Sequence, residues 1–161
     1  MDFYTYQTPV GKISIACEDD YIVKVKLSDT LEHAVRKETP LIQEAYRQLT
    51  EYFEGKRTHF ELPLKPKGTP FQQAVWNALC RISYGKTKSY KEIAEMVGNP
   101  KACRAVGMAN RRNPVMIIIP CHRVIGADGS LTGYACGTEV KKQLLALENL
   151  FFPHLMTEKV I

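Results

Sequence analysis

Short β-type runs followed by a helical pattern mark the first part of the chain. Residues 13–15 and 21–25 are rich in Ile and Val and are punctuated by turn-forming Pro-Val-Gly and Glu-Asp-Asp segments. This pattern is typical of antiparallel strands joined by hairpins. From Leu41 to Phe53 apolar side chains recur at helical spacing, directly after Pro40. An antiparallel sheet carrying one helix is therefore predicted for this part.

A change in composition divides the chain in two. Residues 62–69 are too rich in Pro and Gly for a regular element. The charge balance changes at the same place, because residues 1–67 carry 10 Lys and Arg against 11 Asp and Glu, whereas residues 68–161 carry 12 against 6. We predict two domains, 1–67 and 68–161. The basic second part suggests a polyanionic partner, although a modest excess of positive charge also serves solubility.

Capping signals place helices in the second part. Thr69-Pro70-Phe71-Gln72 reads as a capping box with proline at the first helical position, and its helix is predicted to end at about Ile82. A buried apolar strand is predicted over Val115–Ile119. Thr138 begins a last helix, with apolar residues at helical spacing up to Leu150.

Two further helices lie close together between these elements. Ser89 and Glu92 form a second capping box whose helix ends at Gly98, and Asn99-Pro100 begins the next helix. A helix-turn-helix is therefore predicted at about residues 88–111. The second of these helices combines basic residues with small ones that permit close backbone approach: Lys101, Arg104, Arg111 and Arg112 with Ala102, Ala105, Gly107 and Ala109.

A cysteine and a histidine follow the predicted strand. Pro120-Cys121-His122 would place a thiol at the rim of an apolar core beside an imidazole. A cysteine nucleophile needs such help, because the thiolate is the reactive form and a free thiol has a pKa of about 8.5. The alternatives are a buried cysteine acting only as a small hydrophobe and a zinc ligand, but no paired Cys-x-x-Cys or His-x-x-x-His is present. We expect Cys121 to be reactive, with no metal and no cofactor.

Several motifs of the second part occur together in the order and spacing of one known family. They are Ser89-Tyr90, Arg104-Ala105-Val106-Gly107, Asn113-Pro114, Pro120-Cys121-His122-Arg123-Val124 and Gly133-Tyr134. From about Gly68 to Leu150 the chain resembles the O6-alkylguanine-DNA alkyltransferases, or methylated-DNA–protein-cysteine methyltransferases. The first part resembles that family's ribonuclease-H-like domain by length and by its hairpin-plus-helix character.

The resemblance implies a mixed α/β (α+β) fold and DNA repair by direct reversal. A methyl or larger alkyl group would pass irreversibly, in a single turnover, from O6-alkylguanine, and from O4-alkylthymine, to Cys121. His122 would take the thiol proton through a water molecule and would be oriented by Glu148. Asn113 would brace the turn between the helix-turn-helix and the Cys121 segment. Tyr90 would donate its hydroxyl proton to the departing guanine.

DNA contacts follow from the same resemblance. The target base must leave the duplex before a thiol can reach it. Arg104 would fill the vacated stack, and Tyr90 would press on the target phosphate. The helix-turn-helix would enter the minor groove, where small residues fit. The remaining residues of this surface would be Ser89, Lys101, Ala105 and Arg111.

The alkyl pocket departs from the family at two positions. The backbone carbonyls of Cys121 and Val124 would accept from the guanine amino group, while Tyr134 and the amide of Ala135 would border the alkyl group and O6. Ala135 stands where relatives often have Ser, and its amide donor is retained. Cys136 stands where Gly is common. Its thiol would either narrow the pocket or form a disulfide with Cys121, and we favour the steric interpretation.

Other functions remain to be separated by experiment. A function as a DNA-binding regulator would leave the Pro-Cys-His-Arg segment without a role. Related lesion binders lack the reactive cysteine. A cysteine hydrolase would release its product and turn over. The sequence carries no secretory signal, and its five cysteines have no regular spacing. We therefore expect a cytoplasmic monomer, nucleoid-associated when on DNA. Its expected partner is double-stranded DNA containing alkylated guanine, with no membrane and no obligate protein partner.

Overall fold

The computed structural model describes residues 1–131 and 137–151, which are divided between two compact units. The first unit comprises Met1–Lys67 together with Pro114–Ile118. The second comprises Gly68–Asn113 and the described residues from Ile119 onward.

A four-stranded sheet forms the first unit. Its strands are β1 (Asp2–Thr8), β2 (Gly11–Glu18), β3 (Tyr21–Lys26) and β4 (Val35–Arg36), in the order β3-β2-β1-β4. The β1–β2 and β2–β3 pairs are antiparallel and the short β1–β4 pair is parallel. On β2, residues 13–17 are all buried. The sheet is therefore covered on both faces at its centre.

One helix, α1 (Pro40–Phe53), packs on this sheet. The Thr39 side chain accepts a hydrogen bond from the Ile42 amide at 3.2 Å, and Pro40 occupies the start of the helix. Thr and Pro suit these positions because the first amides of a helix have no partner inside it. The buried face carries Ile42, Ala45, Leu49 and Tyr52. The predicted antiparallel sheet with one helix is confirmed.

The segment Pro114–Ile118 adds to the edge of this sheet. The Val25 amide donates to the Pro114 carbonyl at 2.9 Å, and the Met116 amide donates to the Val25 carbonyl at 3.1 Å. The chain then turns at Ile117, whose φ of 70° is rare for a β-branched residue. The predicted strand over Val115–Ile119 is therefore wrong, since the segment is buried but forms a turn. The structure also groups part of it with the first unit, whereas the sequence placed it in the second.

Helices and a small sheet form the second unit. They are α2 (Pro70–Leu79), β5 (Lys88–Ser89), α3 (Tyr90–Met96), α4 (Cys103–Arg111), a 3₁₀ turn (Cys121–Arg123), β6 (Val124–Ile125) and α5 (Thr138–Phe151). Both predicted capping boxes are present, at Thr69 and at Ser89. The indole of Trp76 on α2 donates to the Ala109 carbonyl on α4 at 2.9 Å. None of the helices within residues 1–131 and 137–151 is long and apolar enough to cross a membrane.

Three predicted helix limits are wrong. Helix α3 ends at Met96, two residues before the predicted Gly98. Helix α2 ends at Leu79, and Ile82 lies in the following turn. Helix α4 begins at Cys103 and not at Asn99-Pro100, because the Asn99 carbonyl accepts from the Ala102 amide and closes a separate turn. The two helices of the predicted helix-turn-helix, α3 and α4, are both present.

Candidate active site

Two asparagines, one near the end of α4 and one just after this helix, fix the backbone around Cys121. The Asn113 side-chain amide donates to the Ile119 carbonyl at 2.8 Å, and the Asn110 side-chain amide donates to the Cys121 carbonyl at 3.3 Å. The Cys121 amide itself donates to the Ile119 carbonyl at 2.8 Å. The thiol-bearing residue is only 3% exposed. Cys121 is therefore a buried side chain on a tightly held turn, at the start of a 3₁₀ element.

Next to Cys121 lies a buried network of charged side chains. The Nε2 atom of His122 is 2.7 Å from Oε2 of Glu148 on α5. The Arg123 guanidinium donates to both oxygens of the same carboxylate, from Nε at 2.9 Å and from Nη2 at 3.1 Å. The Gly85 amide donates to Oε1 of Glu148 at 3.0 Å. The carboxylate thus receives hydrogen bonds from three residues, and Glu148 is 1% exposed.

Opposing influences set the protonation of this network. Burial lowers the pKa of His122, and the Glu148 charge only partly opposes it. Burial alone would raise the pKa of Glu148, but His122 and Arg123 together hold that pKa well below its usual value. At neutral pH the pair is therefore a neutral imidazole beside an ionised carboxylate.

The small parallel sheet brings Tyr90 to the same region. Lys88 pairs with Val124 and Ser89 pairs with Ile125, so the start of α3 lies beside the strand that follows the Cys121 turn. Burial raises the pKa of Tyr90, and the negative charge of Cys121 raises it further. The phenol consequently keeps its proton at neutral pH and can act as a donor.

Tyr90 also borders an exposed surface of α4. This surface contains a groove of about 590 Å³, the α4 groove, which is lined by Tyr90, Cys103, Arg104, Gly107, Met108, Arg111 and Arg112. Arg104, Ala105 and Arg111 are exposed on the helix, whereas Lys101 is exposed in the preceding turn. Three arginines around one groove give it a positive charge suited to a polyanion.

Only some of the remaining predicted residues lie in the part of the chain that the structure describes. Val124 is buried on β6 and Ser89 caps α3. Tyr134, Ala135 and Cys136 lie outside the described residues. Among the residues that are described, no group of three or more His, Cys, Asp or Glu side chains is arranged to hold a metal ion.

Two family models match the chain. The DNA binding domain of 6-O-methylguanine DNA methyltransferase matches residues 70–150, and the ribonuclease-like domain of the same protein matches residues 1–66. The chain belongs to the 6-O-methylguanine DNA methyltransferase family. The family predicted from the sequence is thereby confirmed.

Relatives and solved structures agree with this assignment to the 6-O-methylguanine DNA methyltransferase family. A Bacillus subtilis protein named methylated-DNA–protein-cysteine methyltransferase, constitutive, is 51% identical over 94% of this chain and 98% of its own length. A methylated-DNA–protein-cysteine methyltransferase of Methanosarcina barkeri is 51% identical over 88% of this chain and 93% of its own. The crystal structure of Mycobacterium tuberculosis OGT in complex with DNA superposes with a TM-score of 0.88 at 42% identity, covering 94% of each chain. The predicted fold class is confirmed.

Three buried residues of this family member were assigned no role from the sequence, although one of them lies within the cysteine motif. They are Asn110, Arg123 and Lys141, which are 0%, 6% and 0% exposed. Helical periodicity could have revealed Lys141, because it lies three and seven positions before Leu144 and Glu148 on the buried face of α5. Arg123 follows a long apolar run, which is a signal for a buried charge that needs a partner.

Proposed function

We propose that this chain removes the alkyl group from O6 of guanine, and from O4 of alkylated thymine, in double-stranded DNA by accepting it on Cys121. The observation that supports this assignment is a buried thiol beside a neutral imidazole that is held by a carboxylate. The activity class follows from family membership: the chain is a DNA-repair methyltransferase that transfers a methyl group from DNA to a protein cysteine. The acceptor residue and the roles of its neighbours are our proposal.

The proton path follows from the hydrogen bonds of His122. The ionised carboxylate of Glu148 can only accept, so Nε2 of His122 carries the hydrogen and Nδ1 is left with its lone pair. Nδ1 is buried and receives no hydrogen bond from the described part of the chain. It would take the Cys121 proton through a bridging water, because buried polar atoms are normally satisfied in this way. Glu148 orients the ring and stabilises the imidazolium that forms.

The transfer itself is an in-line displacement. The Cys121 thiolate attacks the alkyl carbon, a carbon–sulfur bond forms, and the bond between that carbon and O6 breaks with its electron pair moving to the guanine. Tyr90, which keeps its proton, donates it to the departing base. A thioether offers no leaving group, so the protein is consumed in one turnover. No step requires a metal ion or a cofactor.

DNA would bind at the exposed surface of α4, with this helix in the minor groove. Arg104 would occupy the stack vacated by the target base, and Tyr90 would press on its phosphate. Ser89, Lys101, Ala105 and Arg111 would complete the contact. The three arginines around the α4 groove support this placement, because phosphate contacts dominate affinity for DNA.

The guanine would be held in part by backbone groups. The carbonyls of Cys121 and Val124 would accept from its amino group; Asn110 already donates to the first of these, and a carbonyl oxygen has a second lone pair. Tyr134, Ala135 and Cys136, which lie outside the described residues, would complete the pocket as the resemblance to the family implies. Asn113 would hold the turn that presents the thiol.

The domain division and cellular setting are also proposed. Domains 1–67 and 68–161 are supported by the two family models, which meet near residue 68. A monomer acting in the cytoplasm, on the nucleoid, suits a protein whose substrate is chromosomal DNA and whose cited relatives come from bacteria and an archaeon.

The decisive test is the stoichiometry of transfer. With methylated duplex in excess, methyl transfer should reach a plateau near one per protein, and mass spectrometry should place the methyl group on Cys121. The Cys121→Ser variant should give no adduct, whereas Cys80→Ser, which changes an exposed cysteine, should behave as the parent. Turnover beyond the plateau would indicate a hydrolase. Binding without any adduct would indicate a lesion binder or a regulator.

A further inference from the structure

A tight turn after α2 lies against the buried network of charged side chains. It is part of the α2–β5 loop, residues 80–87, which connects α2 to β5. The Lys86 amide donates to the Ser83 carbonyl at 3.0 Å, and Gly85, at the third position of the turn, has a φ of 77°. Tyr84, at the second position, has a negative φ. This combination is typical of a type II turn, which favours glycine at its third position because other residues rarely adopt a positive φ.

Two consecutive residues of this turn contact the network. The guanidinium carbon of Arg123 is 5.6 Å from the centroid of the Tyr84 ring, within the range of a cation–π contact. The Gly85 amide donates to Oε1 of Glu148 at 3.0 Å. The same loop supplies the Ile82 carbonyl, which accepts from Nη1 of Arg123 at 2.7 Å. The Tyr84 side chain is buried. One short segment therefore holds both members of the ion pair between Arg123 and Glu148.

The type of the turn decides where the Gly85 amide points. This amide belongs to the central peptide of the turn, between Tyr84 and Gly85. Type I and type II turns differ chiefly by a rotation of that peptide by about 180°. A type I turn, which suits most residues, would direct the Gly85 N–H away from the carboxylate of Glu148. Glycine at this position thus permits the hydrogen bond that aligns the carboxylate.

We propose that the turn Ser83–Lys86 is a positioning element for proton transfer, in which the Tyr84 ring confines the Arg123 guanidinium and the Gly85 amide fixes Glu148. The carboxylate, held in this way, keeps the His122 ring in place. The inference rests on the proposed function for its role in repair. Its effect on His122 can be measured without DNA.

The ionisable groups around the network make His122 its reporter. Burial lowers the pKa of His122, the charge of Glu148 opposes this lowering, and the charges of Arg123 and Lys141 add to it. Burial raises the pKa of Tyr84 to about 12; the charge of Glu148 adds to this rise and the charge of Arg123 opposes it. Tyr84 is therefore neutral and contributes its ring face. An Arg123 that moves away, or a Glu148 that loses its amide donor, would leave the carboxylate charge less compensated and raise the pKa of His122.

Two pairs of variants of the full chain test this role. Tyr84→Leu removes the ring and keeps an apolar side chain, whereas Tyr84→Phe keeps the ring. Gly85→Ala disfavours the type II turn, and its control is Gly55→Ala, which introduces a similar strain in the first unit at a φ of 76°. Tyr84→Leu is also combined with Arg123→Met, so that the effect of the ring can be measured with and without the guanidinium.

Three measurements are made on each protein. The imidazole of His122 is titrated by NMR in the absence of DNA, and a His122→Gln variant identifies its signal among the four histidines. Methyl transfer from free O6-methylguanine is timed across the acid and neutral range of pH. Thermal unfolding is recorded, so that a loss of stability can be told from a change in the network.

Tyr84→Leu and Gly85→Ala should each raise the pKa of His122 by roughly half a unit to one unit, because the Glu148 charge is then less compensated. Methyl transfer at neutral pH should slow about five- to tenfold, the factor by which loss of a partly desolvated cation–π contact shifts an equilibrium. The rate should recover as the pH rises, because the imidazole regains its neutral form. Tyr84→Phe should keep most of the parent's titration and rate, and Gly55→Ala should keep both.

The Arg123→Met background shows whether Tyr84 acts through the guanidinium. Tyr84→Leu should slow transfer by less than about twofold there, because the ring has no charge left to confine. An undiminished effect in that background, or an unshifted His122 titration in folded Tyr84→Leu, overturns the proposal; Tyr84→Met replaces Tyr84→Leu where the latter does not fold. A Gly85→Ala protein that changes no more than Gly55→Ala overturns the part assigned to the amide. A shifted His122 in a parent chain that takes no methyl group from DNA would support the turn and refute the proposed function.

Discussion

Glu148→Gln is the substitution that tests the buried network most directly. It preserves the shape of the side chain and removes its charge. The carboxylate now accepts from His122 at 2.7 Å, from two nitrogens of Arg123 at 2.9 and 3.1 Å, and from the Gly85 amide at 3.0 Å. A glutamine has a single oxygen, and its NH₂ group would face donors where the second carboxylate oxygen accepts.

The expected loss of stability follows from the buried charge of Arg123, which Glu148→Gln would leave without its partner carboxylate. The Arg123 side chain is 7% exposed, and removing one partner of a buried ion pair typically costs about 3–5 kcal/mol. Arg123 keeps its 2.7 Å hydrogen bond to the Ile82 carbonyl, and glutamine keeps one acceptor. We therefore expect the free energy of unfolding to fall by about 3 kcal/mol, near the lower end of that range. Single domains are stable by about 5–15 kcal/mol, so the variant should fold with a reduced margin.

The dependence on pH has a definite sign. The folded pKa of Glu148 lies below its ordinary value of 4.5, so the carboxylate contributes stability that is present above that pH and is lost as the pH falls. Burial lowers the pKa of His122 below its ordinary 6.5, so proton uptake by the unfolded chain acts in the same direction. The parent should lose stability on acidification below about pH 6.5. Glu148→Gln should lose less than the parent below about pH 4.5.

Denaturant unfolding of four proteins measures these terms. They are the parent, Glu148→Gln, Arg123→Met and the double variant. Removing both charges should restore part of the stability lost in either single variant, because neither partner is then left buried alone. Methyl transfer by folded Glu148→Gln should fall by about 10²- to 10⁴-fold through loss of the oriented base. A Glu148→Gln protein within about 1 kcal/mol of the parent, or strictly additive single effects, would refute the reasoning.

Two further substitutions test the DNA surface and the turn. Arg104→Ala should slow repair of a lesion in duplex far more than reaction with free O6-methylguanine, which needs no extrusion. The control is Arg81→Ala, which changes an exposed arginine in the turn after α2. Equal losses on both substrates would contradict a stacking role. Asn113→Ala removes the 2.8 Å hydrogen bond to the Ile119 carbonyl and should cost about 1–3 kcal/mol in denaturant unfolding. Asn113→Ala should slow methyl transfer from duplex and from free O6-methylguanine by similar factors. A slowing confined to duplex would contradict the role of Asn113 at the nucleophile.

Local signals in the sequence predicted local structure well. The capping boxes at Thr69 and Ser89 are formed by residues three positions apart, so the sequence contains everything that decides them. Asn99-Pro100 looked equally suitable for a helix start, but the chain closes a turn there and α4 begins at Cys103. At Val115–Ile119 hydrophobicity predicted burial correctly. It could not predict the conformation, because a run of apolar residues suits a buried turn as well as a strand.

The candidate site also contains residues that local sequence signals predict and residues that they do not. Cys121 and His122 are adjacent in the sequence and carry a recognisable motif, whereas Glu148 came only through resemblance to a family. Arg123 and Lys141 bear charges that usually lie in solvent, so their burial depends on partners distant in the sequence. Such residues are found by asking which charged positions fall on the buried face of a helix or within a few residues of an apolar run.

Burial of Cys121 is a benefit to repair only because charges surround it. An apolar core shields a thiol from oxidants and from adventitious electrophiles, but it also disfavours the thiolate that must attack the alkyl group. A cysteine at 3% exposure with only apolar neighbours would be an inert hydrophobe. The second unit instead buries His122, Arg123 and Glu148 at the same turn, at a cost that apolar side chains would avoid. That cost is intelligible if the imidazole removes the thiol proton and the carboxylate and guanidinium fix the imidazole.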